Sequence, residues 1–133
     1  MYYFLIPIIL FYLVRFCFIG VSRIVSESMS PTLLIDDFVL FNKWGRNPKV
    51  NDIILFKHED KLLIKRVSNV LEDKVYVLGD NKRNSKDSRS FGYIPKSSIK
   101  GTAFRILVSI DKKNNTTRKD RTWRKLDAIT FGT

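Results

Sequence analysis

The sequence predicts a mostly β domain, an antiparallel sheet rolled toward a barrel, behind one N-terminal helix. Three observations predict it. Residues 1–20 (MYYFLIPIILFYLVRFCFIG) are apolar except for Arg15. Beyond them, short runs rich in β-branched and aromatic residues alternate with turn residues, the pattern of a half-buried sheet. No internal repeat and no Rossmann or P-loop glycine pattern interrupts those runs. With 133 residues in all, there is material for one domain with a modest core.

Taken in order, residues 1–20 predict a transmembrane anchor and residues 21–133 the β-domain. A bilayer-spanning helix needs about 20 mostly apolar residues, which this stretch reaches if Arg15 lies near an interface. A cleavable export signal would carry basic residues before the apolar run and small residues at its exit. Neither is present, so an uncleaved anchor is favoured over a cleaved signal or a buried helix. All Lys and Arg lie at or after Arg15, a bias that by itself favours a cytoplasmic C-terminal domain.

Strands are then expected over 21–26, leading into a turn at 28–31, and over 38–42 (FVLFN) and 53–57 (IILFK). Further strands are expected over 62–67 (LLIKRV) and 75–78 (VYVL), with SNVLED as their connection. A long polar loop, GDNKRNSKDSRSFG, follows, and a last pair of strands near 92–94 and 99–108 closes the fold.

The formal net charge is +11, and segment 111–127 alone holds seven Lys and Arg against three Asp. Beside an anchor, such a surface attracts anionic lipid head groups; a bland solvated surface is the alternative. Nucleic acid is not expected as a partner, because no aromatic-interleaved recognition module accompanies the charge. Cys17 is the only cysteine, so no internal disulfide or cysteine-built metal site can form. No cofactor or metal is expected.

His58 is the only histidine, and within KHEDK it reads as an exposed turn residue rather than a member of a Ser–His–Asp triad. The acidic pairs 36–37 and 59–60 fall in turns. Serine with lysine remains. In SESMSPTL, Ser26 and Ser28 stand two apart before a proline-fixed turn, and in an extended chain they share a side. One hydroxyl could attack a carbonyl while the other donates to the developing oxyanion. A lysine acts as base only when neutral, which burial among apolar groups favours. Lys65 has Leu62, Leu63 and Ile64 before it and Val67 after it; Leu63 and Val67 share its face. On spacing alone, an outward-facing strand lysine is the favoured reading.

SESMSPTL, NDIILF, IKRV and GDNKRNSKDSRSFG, in that order, resemble the type I signal peptidase family across residues 24–108. SID and the later RTWRKL are loosely similar to the family's C-terminal pattern. The resemblance implies a Ser–Lys serine endopeptidase with Ser28 as nucleophile and Lys65 as general base. It implies Ser26 as an oxyanion donor and Ser85 as the serine that orients the lysine amine. Asp87 and Arg89 match a structural ion pair, and Asp80 and Asn81 match scaffold residues of the polar loop. Pockets for small substrate side chains would involve Ile24, Met29, Leu33 and Ile64.

The implied partners are exported preproteins with small residues before the cut, and membrane lipids; the protein is expected to be a monomer. The implied location is the bacterial inner membrane, single-pass, with the catalytic domain on the non-cytoplasmic side, against the charge bias. Where relatives have turn glycines this chain has Asp36 and Asn51, residue types that tolerate left-handed backbone. Glu27, between the serines, would hinder Lys65 unless it points outward. Only residues 66–78 separate Lys65 from Gly79, so the second β-domain of larger relatives is missing and the chain resembles the family's minimal members. These include general enzymes and maturases dedicated to one exported or conjugation-related substrate. An inactive basic membrane-tethered β-module is the non-enzymatic alternative.

Overall fold

A computed structural model describes residues 2–44 and 46–126. A 3-10 turn at Tyr2–Phe4 leads into helix α1, Leu5–Cys17, with Arg15 in its last turn, where a cation complements the helix dipole. The 13 residues of α1 rise about 20 Å at about 1.5 Å each, short of the roughly 30 Å of bilayer hydrocarbon. Among the described residues, no helix is long and apolar enough to cross a membrane. The expected span of 1–20 is cut short because strand β1, Ile19–Arg23, has already begun pairing with β2, Asp37–Asn42. Gly20 permits this start: a Cβ there would stand 2.3 Å from the Phe41 ring.

The remaining strands are β3 (Ile53–His58), β4 (Lys61–Val70), β5 (Lys74–Leu78), β6 (Ile94–Pro95), β7 (Ile99–Asp111) and β8 (Thr116–Thr117). The sheet runs β1-β2-β7-β3-β4-β5-β6, with β8 paired to β7. Every pairing is antiparallel. The mostly β architecture expected from the sequence is therefore present. The 13-residue β7 lies between β2 and β3, with register shifts against both.

Several boundaries differ from expectation. The first strand ends at Arg23 rather than 26, because the chain bends away to build the loop that carries Ser28. Strand β4 runs on to Val70, absorbing half of the expected connection; the turn is only residues 71–73, closed by Leu71 N–H donating to the Lys74 carbonyl at 2.8 Å. The last two strands do not pair with each other: β6 joins β5, and β7 joins β2 and β3. A short helix, α2 (Ser88–Phe91), was not anticipated inside the polar loop. Residues 127–133 of the expected catalytic unit lie outside the described residues.

Asp36 and Asn51 have φ of 70° and 77°, the left-handed backbone their types tolerate. Glu59 and Asp60, at 47° and 61°, form the two-residue hairpin turn between β3 and β4. His58 is not the exposed turn residue expected: it ends β3, half-buried, with its ring stacked on Phe91 at 4.2 Å.

Alternation along β3 and β4 divides the core in two. Ile53 and Ile64 pack with Ile24, Met29, Leu33, Val39, Ala103 and Ile106. Ile54, Phe56, Leu63 and Val67 pack with Val75, Val77, Ile94 and Ile99. The first cluster supports the Ser28 loop, and the second contains Leu63 and Val67, which share a strand face with Lys65.

Candidate active site

The loop from Ile24 to Asp36 leaves β1 and returns into β2. Its mouth is pinched by Ile24 N–H donating to the Asp37 carbonyl and Asp36 N–H donating to the Ile24 carbonyl, both at 2.9 Å. Ile24, Met29 and Leu33 are buried, so apolar side chains on the loop anchor it to the first cluster. Residues 26–30 form bends and turns, in keeping with the turn expected at 28–31, with Ser30 N–H donating to the Glu27 carbonyl at 3.0 Å. The serine hydroxyls meet, with Ser26 Oγ 3.1 Å from Ser28 Oγ. Glu27 is exposed, and its carboxylate reaches toward Asn84 at 3.5 Å.

Lys65 stands on β4 opposite Ile54, only 3% exposed, and its Nζ lies 2.5 Å from Ser28 Oγ across 37 positions of chain. Burial lowers its pKa from the ordinary lysine value, while the Asp87 carboxylate pulls the other way. As an ammonium Lys65 donates to the serine oxygen; as a neutral amine it can accept the serine proton. An outward-facing strand lysine, the reading favoured by spacing alone, is not what the fold produces.

The polar loop from Gly79 to Gly92 bonds to the Ser28 backbone and to Arg66, the neighbour of Lys65. Asn81 N–H donates to the Ser28 carbonyl at 2.9 Å, and Asn81 Nδ2 donates to the Glu27 carbonyl at 3.2 Å. Gly79 is required by close approach: a Cβ there would stand 2.0 Å from Ser85 Oγ and 2.6 Å from the Ser28 carbonyl oxygen. Asp87 is fully buried and accepts from the Gly79 amide, the Ser85 hydroxyl and Arg89 Nε, each at 2.9 Å. Burial pushes its pKa up, but these bonds, Arg89's first, outweigh it and hold the carboxyl at about 2. Ser85 was expected to touch the lysine amine; the hydrogen bond found for its hydroxyl goes to Asp87. Asp80 is held by Arg66, whose Nε and Nη2 each donate at 2.9 Å while Nη1 donates to the Asn51 carbonyl at 2.8 Å.

A groove of about 400 Å³ opens beside the dyad, lined by Ile24, Met29, Ile64 and Leu62 as well as Ser26, Ser28 and Lys65. Leu33, the fourth expected pocket residue, does not line it: it is fully buried beneath, packed in the first cluster. Among the described residues, the β4 residues before Arg66 pair only with β3, because β5 begins pairing at Arg66. One edge of the groove is therefore an unpaired strand edge.

Comparison with known proteins places this geometry. The family model described as signal peptidase, peptidase S26, matches residues 1–70 and 68–108. The chain belongs to the signal peptidase family. Signal peptidase I of Buchnera aphidicola (from Schizaphis graminum) is 37% identical over 71 residues, 53% of this chain and 22% of that protein. Signal peptidase I of Aquifex aeolicus is 42% identical over 59 residues, 44% of this chain and 22% of its own length. A probable signal peptidase I-2 of Synechocystis is 27% identical over 136 residues, covering 65% of this chain and 62% of its own. The match thus spans about a fifth of the first two relatives. Ser28, Lys65 and the polar loop fall inside the part matched to the signal peptidase family, whereas the chain after residue 108 falls outside it.

Sequence reasoning missed Asp37, Arg118 and Arg121. Asp37 was read as a turn residue and the arginines as part of a lipid-facing surface. In the fold Asp37 is fully buried and both guanidiniums face it, Arg121 at 3.0 Å and Arg118 at 3.6 Å. The acidic pair opening a strand was the available signal, but its basic partners lie more than 80 positions away.

Proposed function

We propose that the protein is a membrane-bound serine endopeptidase that removes signal peptides from exported preproteins. The 2.5 Å approach of a buried Lys65 amine to Ser28 Oγ carries this reading. Neutral Lys65 takes the hydroxyl proton as Ser28 Oγ attacks the scissile carbonyl. The tetrahedral oxyanion accepts from the Ser26 hydroxyl and the backbone N–H at Ser28. Collapse breaks the C–N bond, Lys65 gives its proton to the leaving amine, and an ester on Ser28 remains. Water, deprotonated by Lys65, then attacks that ester and restores Ser28.

The substrate lies extended along the free edge of β4, where its backbone supplies missing ladder bonds. Ile24, Met29 and Ile64, which line the groove, form the apolar wall for small side chains close to the cut. Asp87, Arg89, Asp80 and Asn81 hold the polar loop in place, and Ser85 acts on the dyad through Asp87. No cofactor enters these steps.

The single-pass anchor belongs to the same proposal. Helix α1 exposes Ile6, Ile9, Leu10, Phe11 and Leu13, each more than half exposed, so its apolar character is not confined to one face. A helix apolar all round suits lipid better than water. The protein would work as a monomer on the non-cytoplasmic side of a bacterial inner membrane, and a reporter fused after Thr133 tests that side. In detergent, the protein is expected to cut a preprotein after a small–x–small site, and folded Ser28→Ala and Lys65→Ala are expected not to. A Lys65→Ala variant that still cleaves removes the dyad from consideration.

A further inference from the structure

After β7 the chain forms β8 and turns back across the Ser28 loop. The basic segment expected to face lipid sends two arginines inward instead. Asp37 Oδ2 accepts from Arg121 Nη2 and from Leu34 N–H, each at 3.0 Å. Asp37 Oδ1 accepts from the Ser109 hydroxyl, and Arg118 Nη1 stands 3.6 Å away. The same Arg121 guanidinium donates to the Thr32 carbonyl at 2.7 Å and to the Pro31 carbonyl at 3.2 Å. One planar fork therefore joins the root of β2 to the backbone three and four residues after Ser28.

This arrangement differs from a simple buried ion pair. Without Arg121, Asp37 would keep Arg118, Ser109 and the Leu34 amide, so its charge would remain compensated. The Pro31 and Thr32 carbonyls would lose the donor described for them. Lys65 is fixed by a strand, whereas Ser28 sits on a loop whose backbone Asn81 holds at the Ser28 and Glu27 carbonyls. Downstream, Arg121 adds a hold on the Pro31 and Thr32 carbonyls. A guanidinium suits the task because its rigid donors reach several acceptors in one plane.

We infer that Arg121, oriented by Asp37, is a positioning residue for the nucleophile. It fixes the turn after Ser28 so that the hydroxyl stays within reach of Lys65. This rests on the endopeptidase reading above and assigns a role to a segment beyond the family match.

The test compares full-length wild type, Arg121→Ala, Arg121→Lys, Ser28→Ala and, as a control from the same segment, the exposed Lys119→Ala, all in detergent. For folded Arg121→Ala, kcat is expected to fall about 10- to 100-fold, since a misplacement near 1 Å costs about that much, while KM stays within about threefold. Low-millimolar guanidinium ion should return part of the lost rate, and equal sodium chloride or urea should not. Guanidinium weakens folded proteins, so an enzyme that was only destabilised would lose more activity, not regain it. Lys119→Ala should match wild type. Wild-type kcat in folded Arg121→Ala overturns the inference, as does a loss that guanidinium does not relieve. Should Arg121→Ala fail to fold, Arg121→Lys replaces it, since it keeps the charge opposite Asp37 without the planar fork. Wild-type kcat in folded Arg121→Lys overturns the inference, and a deficit supports it. If wild type releases no more product than Ser28→Ala, the endopeptidase reading fails instead.

Discussion

Replacing Asp87 by Asn separates the charge at the heart of the polar loop from its shape. The carboxylate has no exposed surface and accepts from the Gly79 amide, the Ser85 hydroxyl and the Arg89 guanidinium. Its pKa falls from 3.8 to about 2, which at about 1.4 kcal/mol per tenfold change corresponds to stabilisation on the order of 2 kcal/mol. The folded value lies below the unfolded one. The stabilisation is therefore complete above the unfolded value of 3.8 and is lost as pH falls through about 2. An amide keeps the outline but turns an NH₂ toward groups that are themselves donors, adding an unsatisfied buried contact. Urea unfolding in detergent should show Asp87→Asn less stable by about 2–4 kcal/mol at neutral pH, with the gap narrowing in acid. Activity supplies a second readout of opposite character. Asp87 raises the Lys65 pKa, so the surviving activity of the variant should show its acid limb at lower pH than wild type. A gap below about 0.5 kcal/mol at neutral pH, a gap indifferent to acid, or an acid limb moved upward would refute this account.

Three further outcomes follow from the same geometry. Lys65→Met should abolish cleavage yet raise stability at neutral pH. The folded amine has a lowered pKa, so its penalty applies below that value and fades as pH climbs toward 10.5; thermal melts across pH should show the advantage shrinking in alkali. Gly79→Ala forces a methyl into Ser85 and the Ser28 carbonyl, and cleavage assays on the folded variant should show kcat down about tenfold or more. Leu33→Ala should cost about 2–5 kcal/mol in urea titration, because a fully buried side chain leaves a cavity beneath the serine loop.

Much of the fold was legible because it follows from local chemistry. The β-rich, turn-bounded runs FVLFN, IILFK and VYVL located β2, β3 and β5, and Asp36 and Asn51 were recognised as left-handed turn residues. Helix α1 was recognised but its end was not. Phe18 and Ile19 are as apolar as the helix before them, but Ile19 is claimed by pairing with Asn42 of β2, a non-local contact. The dyad was legible as motif and not as geometry: nothing within residues 62–67 dictates that Lys65 points at a serine 37 positions earlier. Leu33 was taken for a wall of the groove because its polarity suits wall and core alike; only packing distinguishes them. Arg118 and Arg121 were misread for the matching reason, since a basic run carries no mark of which guanidinium will find a buried carboxylate.

Strand β7 has a consequence for timing. It is the seam between the β1–β2 hairpin, from which the Ser28 loop hangs, and the β3–β4–β5 ribbon that bears Lys65. Until that strand has left the ribosome the two halves share no ladder, and each exposes an unsealed edge. Before β7 pairs, no backbone ladder joins the part of the sheet that carries Ser28 to the part that carries Lys65. Late, long-range closure of this kind slows folding, and the strand that joins the two halves is also the one whose pairing spans the most chain.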